Sequence, residues 1–171
     1  RIVEIIEHMR AFWVIPGSPK ISEVNINQAV KNALSLTRQQ LRAHGIQELI
    51  KMETEPLMVK GNLVHFEQII VNLVGNAIKF TKEGFIEFGF YLSDDDTIAF
   101  YVKDTGIGIP AEKQQHIFER FGQVNDPRVS EFKGTGLGLS ISKKLAELLG
   151  GDLTLVSKEN VGSTFTLALP V

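Results

Sequence analysis

The spacing of apolar residues along the chain switches between helical and strand periods. Apolar positions recur at helical spacing before residue 15, from about 27 to 43, from 63 to 80 and from 137 to 149, which predicts helices in these regions. Shorter runs typical of strands lie at ISEVNI, IQELIKME, MV (58–59), FIEFGFYL, TIAFYVKD, DLTLVS and STFTLALPV. The middle pair and the last pair of strands form hairpins, so the pattern predicts an α+β fold. We expect a two-layer α/β sandwich whose mixed, mostly antiparallel sheet of about five strands is covered on one face by about three helices.

Polar and glycine residues mark the expected ends of these helices. Asn27 is placed to cap the helix that ends near Ala43, Gly45 to terminate it, and Asn62 to cap the next helix. Residues 105–135 carry little periodicity, and a connection of that length inside a compact domain is typical of a functional lid or a disordered segment. In the last helix the pattern predicts four inward-facing residues, Ile141, Leu145, Leu148 and Leu149.

One helix carries an unexpected polar stripe. Within the apolar run of residues 63–80, Asn72, Asn76 and Lys79 follow one another at spacings of four and three, which puts them on neighbouring turns of one face. Asparagine is a poor helix former and costs free energy when it is buried without a partner. The stripe therefore predicts a polar ligand on this face of the helix.

Two glycine clusters add candidate chemistry. The first, DTGIGIP (104–110), follows a strand directly, so that Asp104 could accept a hydrogen bond from an amine and Gly106 and Gly108 could admit a flat ligand. The second, GTGLGL (134–139), leads into a helix N-terminus, where free N–H groups favour an anion such as phosphate. Neither matches a P-loop or the dinucleotide-binding fingerprint.

The residues leave plainer interpretations open. A single GxG marks many turns, and two asparagines on a helix more often satisfy structure or bridge water than bind a metal. What favours a ligand site is the order of the features. An Asn-Asn-Lys helix is followed by a strand that ends in Asp-x-Gly-x-Gly, a long connection, and Gly-x-Gly-x-Gly at a helix start.

Composition narrows the function classes. The 171 residues suffice for one compact domain, and the net charge of −2 gives no reason to expect nucleic acid or a membrane surface as a partner. The absence of cysteine excludes disulfides and thiol chemistry. No apolar run approaches the ~20 residues of a membrane span. The chain opens at RIVEIIEHMR without a methionine, so we interpret it as part of a longer protein whose membrane attachment stays open.

The ordered features closely resemble the catalytic and ATP-binding domain of bacterial sensor histidine kinases, of the GHKL superfamily with the Bergerat ATP-binding fold. HFEQIIVNLVGNAIKFT resembles the N box, DTGIGIP the first glycine box, IFERFGQ the F box, GTGLGLSI the second glycine box, and GSTFTLALP the closing strand. The resemblance implies that residues 20–171 form the catalytic domain, that 16–19 are a linker, and that 1–15 are the truncated end of a dimerisation helix.

The resemblance also implies a role for each matching residue, with ATP and Mg²⁺ as ligands. Asn76, assisted by Asn72, would coordinate Mg²⁺, and Lys79 and Arg120 would contact phosphates, so these four are the candidate catalytic residues. The adenine would be bound by Phe80, Asp104, Gly106, Gly108 and Ile109, with Thr164 holding a water beside Asp104. The phosphate tail and an ATP lid would involve Phe118, Phe121, Gly134, Thr135, Gly136, Leu137, Gly138 and Leu139.

One residue separates two reaction classes. Related ATPases carry a water-activating glutamate one turn before the metal asparagine, where this chain has Asn72, and an amide cannot accept a proton at neutral pH. Glu67, five residues earlier, is expected to face another side of the helix. The resemblance thus implies transfer of the γ-phosphate to an external histidine rather than to water.

None of the four histidines, His8, His44, His65 and His116, lies in a motif like HExRTP, which carries the phosphate-accepting histidine in this family. The implied partners are therefore a histidine-bearing dimerisation domain, in a parent that is a homodimer, and a response regulator receiver domain. The implied location is cytoplasmic, without nucleic acid or direct membrane contact. A GHKL-type ATPase, a non-catalytic nucleotide-binding module and a protein serine kinase on the same scaffold stay as alternatives.

Overall fold

A computed structural model describes residues 21–52, 57–93, 96–122 and 135–170. The segments expected to form a dimerisation helix and a linker lie outside the described residues. Within the described ranges the chain forms seven strands, numbered in chain order: β1 (Ser22–Asn25), β2 (Gln47–Lys51), β3 (Met58–Gly61), β4 (Phe85–Ser93), β5 (Thr97–Asp104), β6 (Asp152–Lys158) and β7 (Gly162–Pro170).

Three α-helices accompany these strands in the described residues: α1 (Ile26–Ala43), α2 (Leu63–Phe80) and α3 (Gly138–Leu148). Two short 3₁₀ turns, Ala111–Lys113 and His116–Phe118, follow β5. None of the described helices is both long and apolar enough to cross a membrane.

Five of the strands form one mixed sheet in the order β2-β4-β5-β7-β6. β2 runs parallel to β4, and the other three pairs are antiparallel. β1 and β3 form a separate two-stranded antiparallel sheet. The predicted mixed, mostly antiparallel sheet of about five strands is confirmed.

The core lies between one face of the large sheet and the helices. Alternate residues of β4, β5 and β7 contribute apolar side chains to the core, as the two-residue period requires, and the apolar stripes of all three helices pack with them. Phe66 of α2 meets Phe100 of β5 edge to face, with ring centroids 6.0 Å apart. The predicted sandwich with about three helices on one face is therefore confirmed.

The cap expected at Asn27 is wrong, because α1 begins at Ile26, before Asn27. Asn25 is the extended residue before the helix, and its side-chain oxygen accepts the backbone N–H of Gln28 at 3.1 Å. Asn27 lies inside the first turn, where its oxygen accepts the N–H of Leu57 at 3.3 Å. The end of α1 agrees with expectation, since Gly45 follows it with a φ of +65°.

One inward position expected in α3 is also wrong. Ile141 and Leu145 are buried, but Leu148 is 65% exposed because the buried stripe of the helix continues through Ser142 and Ala146 instead. Leu149, just past the end, packs instead against the core and lies beside Gly61.

The cap of α2 gives a test of how the site-bearing helix begins. The Asn62 oxygen accepts the N–H groups of Val64 at 2.9 Å and His65 at 3.2 Å. Asn62→Ala is expected to lower the free energy of unfolding by about 1 kcal/mol in urea denaturation, because both N–H groups lose their acceptor. Asn62→Asp is the matched control. It keeps the acceptor and adds a negative charge at the helix N-terminus, so it should not destabilise the protein. Equal losses for both variants would contradict the assignment of the cap.

Candidate functional site

Helix α2 touches both glycine clusters along one side. Near its middle, the Asn72 side chain reaches Gly138 at the start of α3. At its end, the Phe80 carbonyl accepts the N–H of Ile107 in the first glycine cluster at 3.1 Å. Asn76 lies on the turn between these two contacts, so the polar stripe runs between the glycine clusters.

The three residues of the stripe differ in how the protein satisfies them. The Asn72 amide nitrogen donates to the Gly138 carbonyl at 3.2 Å and to the Ser142 hydroxyl at 3.1 Å, while its oxygen accepts from Gln68 at 3.1 Å. Asn76 is half-buried, and no group in the described part of the chain hydrogen-bonds its side chain. The protein thus occupies Asn72 and leaves Asn76 available to a ligand.

The Lys79 amine is partly buried, and the described residues supply no negative charge to neutralise it. Its Nζ lies 4.8 Å from the ring centroid of Phe80, and it has no carboxylate partner among the described residues. Burial lowers the pKa of the Lys79 amine. The next residue after Phe80, Thr81, is buried with a hydroxyl that has no hydrogen-bond partner in the described structure. At this end of α2, the described residues therefore leave the Lys79 amine without an anion and the Thr81 hydroxyl without a hydrogen-bond partner.

Asp104 ends β5 as a carboxylate that is only 5% exposed. Its Oδ1 accepts the N–H of Gly106 at 2.9 Å, and the N–H of Ser163 also donates to the carboxylate. Burial raises the pKa of Asp104 to about 6, although the two N–H groups act in the opposite direction. No cation pairs with it among the described residues, so the carboxylate retains capacity for a donor from a ligand.

The first glycine cluster is shaped by packing of the chain on itself. A Cβ at Gly106 would overlap the carbonyl oxygen of Phe80, and a Cβ at Gly108, whose φ is +65°, would overlap the carbonyl oxygen of Lys158. The sequence-based reason for both glycines, room for a flat ligand, is thus not the one seen. Their absent side chains let the segment lie against α2 on one side and the β6–β7 hairpin on the other.

Two residues that the sequence analysis missed fasten this cluster to β6. The Ser157 hydroxyl accepts the N–H of Ile109 at 2.8 Å and donates to the Gly162 carbonyl at 3.0 Å. The Gln114 amide donates to the carbonyls of Ile109 and Ser157 at 2.9 and 3.0 Å. Ile109 is thereby held at the site. Nothing in the sequence marks such lone polar residues, because their role depends on strands distant in the chain.

Thr164 does not share a face of the sheet with Asp104. In the antiparallel register of β5 and β7, Asp104 lies opposite Ser163 and Lys103 lies opposite Thr164. Directly opposed residues point to the same face and successive residues alternate, so Ser163, which is buried, takes the position expected for Thr164. The sequence could have identified Ser163, because Ser163 lies two residues before the buried Phe165 and alternate residues of a strand point to the same face.

The two phenylalanines of the F box differ in how they contact the rest of the protein. The Phe118 ring packs edge to face on Phe165, with centroids 6.4 Å apart. Phe121 is 71% exposed and is held by its backbone, whose N–H donates to the Gly136 carbonyl at 3.1 Å. Arg120 is exposed and contacts no described residue.

The second glycine cluster begins α3. Gly136 has a φ of +71°, Thr135 Oγ1 accepts the N–H of Leu137 at 3.4 Å, and no side chain caps the helix. The first N–H groups of α3, beginning at Gly138, therefore remain open to an anion. Leu137 and Leu139 pack against the core. Gly134 lies outside the described residues.

The site combines a buried carboxylate at one end, a half-buried amide and cation in the middle, and a helix N-terminus at the other end. A sequence profile described as histidine kinase-, DNA gyrase B-, and HSP90-like ATPase matches residues 61–171, more than half of the chain. The chain belongs to this family. The predicted resemblance to histidine kinase catalytic domains is confirmed.

Relatives of known name include a histidine kinase and a sensor protein. The chain is 35% identical over 153 residues to hybrid signal transduction histidine kinase B of Dictyostelium discoideum, a match that covers 86% of the chain and 8% of the relative. It is 42% identical over 115 residues to the aerobic respiration control sensor protein ArcB of Escherichia coli, covering 67% of the chain and 15% of the relative. The chain therefore spans a small part of the length of these relatives.

Solved structures agree on the fold. The catalytic domain of histidine kinase ThkA superposes with a TM-score of 0.76 at 28% identity, covering 88% of this chain and 95% of that chain. Full-length ShkA in complex with AMPPNP superposes with a TM-score of 0.82 at 24% identity, covering 99% of this chain and 35% of that chain. The second likeness supports the fold alone.

The raised pKa of Asp104 predicts a pH-dependent stability. The carboxyl titrates near 3.8 when exposed and near 6 when folded, so the folded protein binds more protons between these values. The free energy of unfolding is expected to fall as the pH rises from about 4 to 6, by an Asp104 contribution on the order of 2 kcal/mol.

The contribution is obtained by comparing the chain with Asp104→Asn in urea denaturation at several pH values, since every other titrating group is common to both. His65, whose pKa is lowered by burial, acts with the opposite slope and cancels in the difference. A stability difference that does not change with pH would contradict the raised pKa. Direct titration of the carboxyl carbon by NMR gives an independent value.

Proposed function

We propose that the chain binds ATP with Mg²⁺ and presents the γ-phosphate to a histidine of a separate dimerisation domain, as the kinase module of a two-component signalling system. The observation that carries the proposal is the set of polar groups left without protein partners in the described residues. These are the Asn76 amide and the Lys79 amine, which lie between the buried Asp104 carboxylate and the open N-terminus of α3.

The base would be recognised by Asp104. An ionised carboxylate accepts a hydrogen bond from the exocyclic amine of adenine, whereas guanine presents a carbonyl oxygen at that position and would be repelled. The two backbone N–H groups that hold the carboxylate fix its direction. Binding of an amine also replaces part of the hydration that burial removes. Phe80, Gly106 and Ile109 would line the base.

The residues present fit a magnesium ion that is held mainly by the nucleotide. The described residues contain no group of three His, Asp or Glu side chains that could hold a metal by themselves. Mg²⁺ keeps several waters and is usually bound through substrate phosphates plus one or two protein oxygens. The unpaired Asn76 oxygen is suited to be such a ligand. When bound, the ion would neutralise charge on the phosphates.

Lys79 and α3 would complete the phosphate site. Lys79 supplies a point charge whose partial burial strengthens its attraction to an anion. The free N–H groups at the start of α3 supply further donors. The chain would act by positioning and charge stabilisation, which are the main contributions of proteins to phosphoryl transfer. Arg120 is exposed and makes no hydrogen bond or ion pair with the described residues, so we propose that it contacts a phosphate or the acceptor domain.

Transfer is favoured over hydrolysis by the residues of α2. Glu67 is the only carboxylate on this helix, and it accepts a hydrogen bond from Asn32 of α1 at 2.9 Å, which confirms that it faces away from the stripe. Asn72, at the position of the water-activating glutamate of related ATPases, cannot act as a base. The γ-phosphoryl group would leave ADP for an imidazole nitrogen of the acceptor.

Several parts of this proposal concern the longer parent. A relative named as a hybrid histidine kinase supports a domain with the acceptor histidine and a receiver domain as partners. We further propose that the acceptor domain is a dimerisation domain and that the parent is a homodimer. The net charge of −2 supports the absence of nucleic-acid partners. We place the domain in the cytoplasm, without direct membrane contact.

Phosphoryl transfer is tested with γ-labelled ATP and a separately produced dimerisation domain from a homologous kinase. We expect acid-labile, base-stable label on the dimerisation domain and none when its histidine is replaced by alanine. Acid-stable label would instead indicate a serine acceptor. Release of inorganic phosphate without labelled partner would indicate an ATPase, and binding without either product would indicate a non-catalytic module.

Nucleotide binding is tested with two neighbouring lysines. Lys79→Ala is expected to weaken the binding of trinitrophenyl-ATP at least about tenfold, because a partly buried charge facing the phosphates is lost. Lys82→Ala is the matched control, since Lys82 is exposed three residues further on. Asp104→Asn should abolish binding. Equal affinity of the Lys79 and Lys82 variants, or normal binding by the Asp104 variant, would contradict the site.

A further inference from the structure

We propose that Asn72 is a positioning residue that acts through Ser142 to hold the start of α3 against α2, and that it is not a ligand of Mg²⁺. The inference rests on the proposed function and refines it, because it removes one of the two metal ligands that the sequence predicts. It also assigns a role to Ser142, a residue outside the expected site.

The contacts of Asn72 fix the orientation of its amide. The Gly138 carbonyl can only accept a hydrogen bond, so the NH₂ group of Asn72 must face α3. The amide oxygen then points to Gln68, one turn back along α2. The oxygen of Asn72 is therefore already engaged within the protein, whereas the Asn76 side chain, one turn in the other direction, has no hydrogen-bond partner among the described residues.

Ser142 completes a two-point attachment. It is 0% exposed, lies one turn after Gly138 on α3, and uses its hydroxyl to accept from Asn72 at 3.1 Å. One amide group therefore holds two successive turns of α3. The neighbours of Ser142 on the buried face of α3, Ile141 and Leu145, are apolar, so they make no polar link to α2.

The attachment sets the distance between the two halves of the phosphate site. The free N–H groups of α3 begin at Gly138, the residue whose carbonyl Asn72 binds. Asn76 and Lys79 follow Asn72 on the same helix. A shift of α3 along α2 would change the spacing between these groups, and phosphate binding depends on that spacing.

Nucleotide affinity and metal dependence separate positioning from ligation. We compare Asn72→Ala, Ser142→Ala, their double variant and Asn76→Ala, using trinitrophenyl-ATP at saturating Mg²⁺ and then titrating Mg²⁺. Asn72→Ala and Ser142→Ala are each expected to weaken nucleotide binding several-fold, and the double variant should be no weaker than Asn72→Ala, since the two residues act as one unit. The Mg²⁺ concentration for half-maximal binding should stay unchanged in these three variants and rise in Asn76→Ala.

Asn72→Asp is a second variant that keeps the size and the oxygens of the side chain. A metal ligand would tolerate this change, whereas a donor to Gly138 and Ser142 would not, because a carboxylate would face a carbonyl oxygen. We expect Asn72→Asp to lose nucleotide affinity as Asn72→Ala does, with thermal unfolding confirming that each variant is folded.

Two results would overturn the inference while leaving the proposed function intact. One is a rise in the Mg²⁺ requirement of Asn72→Ala equal to that of Asn76→Ala, which would make Asn72 a metal ligand. The other is an unchanged nucleotide affinity in Ser142→Ala. If the unsubstituted chain failed to bind nucleotide, that result would instead overturn both the proposed function and this inference.

Discussion

The site depends on the close contact of α2 with two segments that are distant from each other in the chain, the first glycine cluster after β5 and the start of α3. At its C-terminal end the Phe80 carbonyl lies so near Gly106 that no side chain fits between them. Near its middle the Asn72 amide binds the first and second turns of α3. Because α2 is a rigid rod with 1.5 Å rise per residue, these two contacts determine where Asn76 and Lys79 stand relative to both glycine clusters.

The groups used for binding are those that the fold leaves unsatisfied. Among the described residues, the Asp104 carboxylate has no cation, the Lys79 amine has no anion and the Asn76 amide has no hydrogen-bond partner. Burial of the first two groups reduces the stability of the free protein. The apolar core under them is continuous through the helices and the sheet, so the fold tolerates these costs. A ligand that carries an amine at one end and phosphates at the other satisfies them together.

Contacts between near neighbours in the chain could be predicted from the sequence in part, since the cap of α2 was found but the cap of α1 was assigned to Asn27 instead of Asn25. Contacts that depend on long-range register could not be predicted. Asn62 is read correctly because a cap is a contact within three residues of the chain. Ser157 and Ser142 act on segments 48 and 70 residues away, and no local pattern announces them. Choosing Thr164 over Ser163 was an error of one residue, which in a strand reverses the face of the sheet. The reason for a glycine at position 106 could not be read from the sequence, because a glycine shows that space is needed but not that the Phe80 carbonyl fills it.

The tight seating of Gly108 against Lys158 has a consequence for how a ligand would enter. The first glycine cluster, which is proposed to meet the base, packs between the end of α2 and the β6–β7 hairpin. Hydrogen bonds with Ser157 and Gln114 hold it further. Little conformational entropy is left there to lose on association. The proposed base pocket would therefore need little rearrangement when a ligand binds.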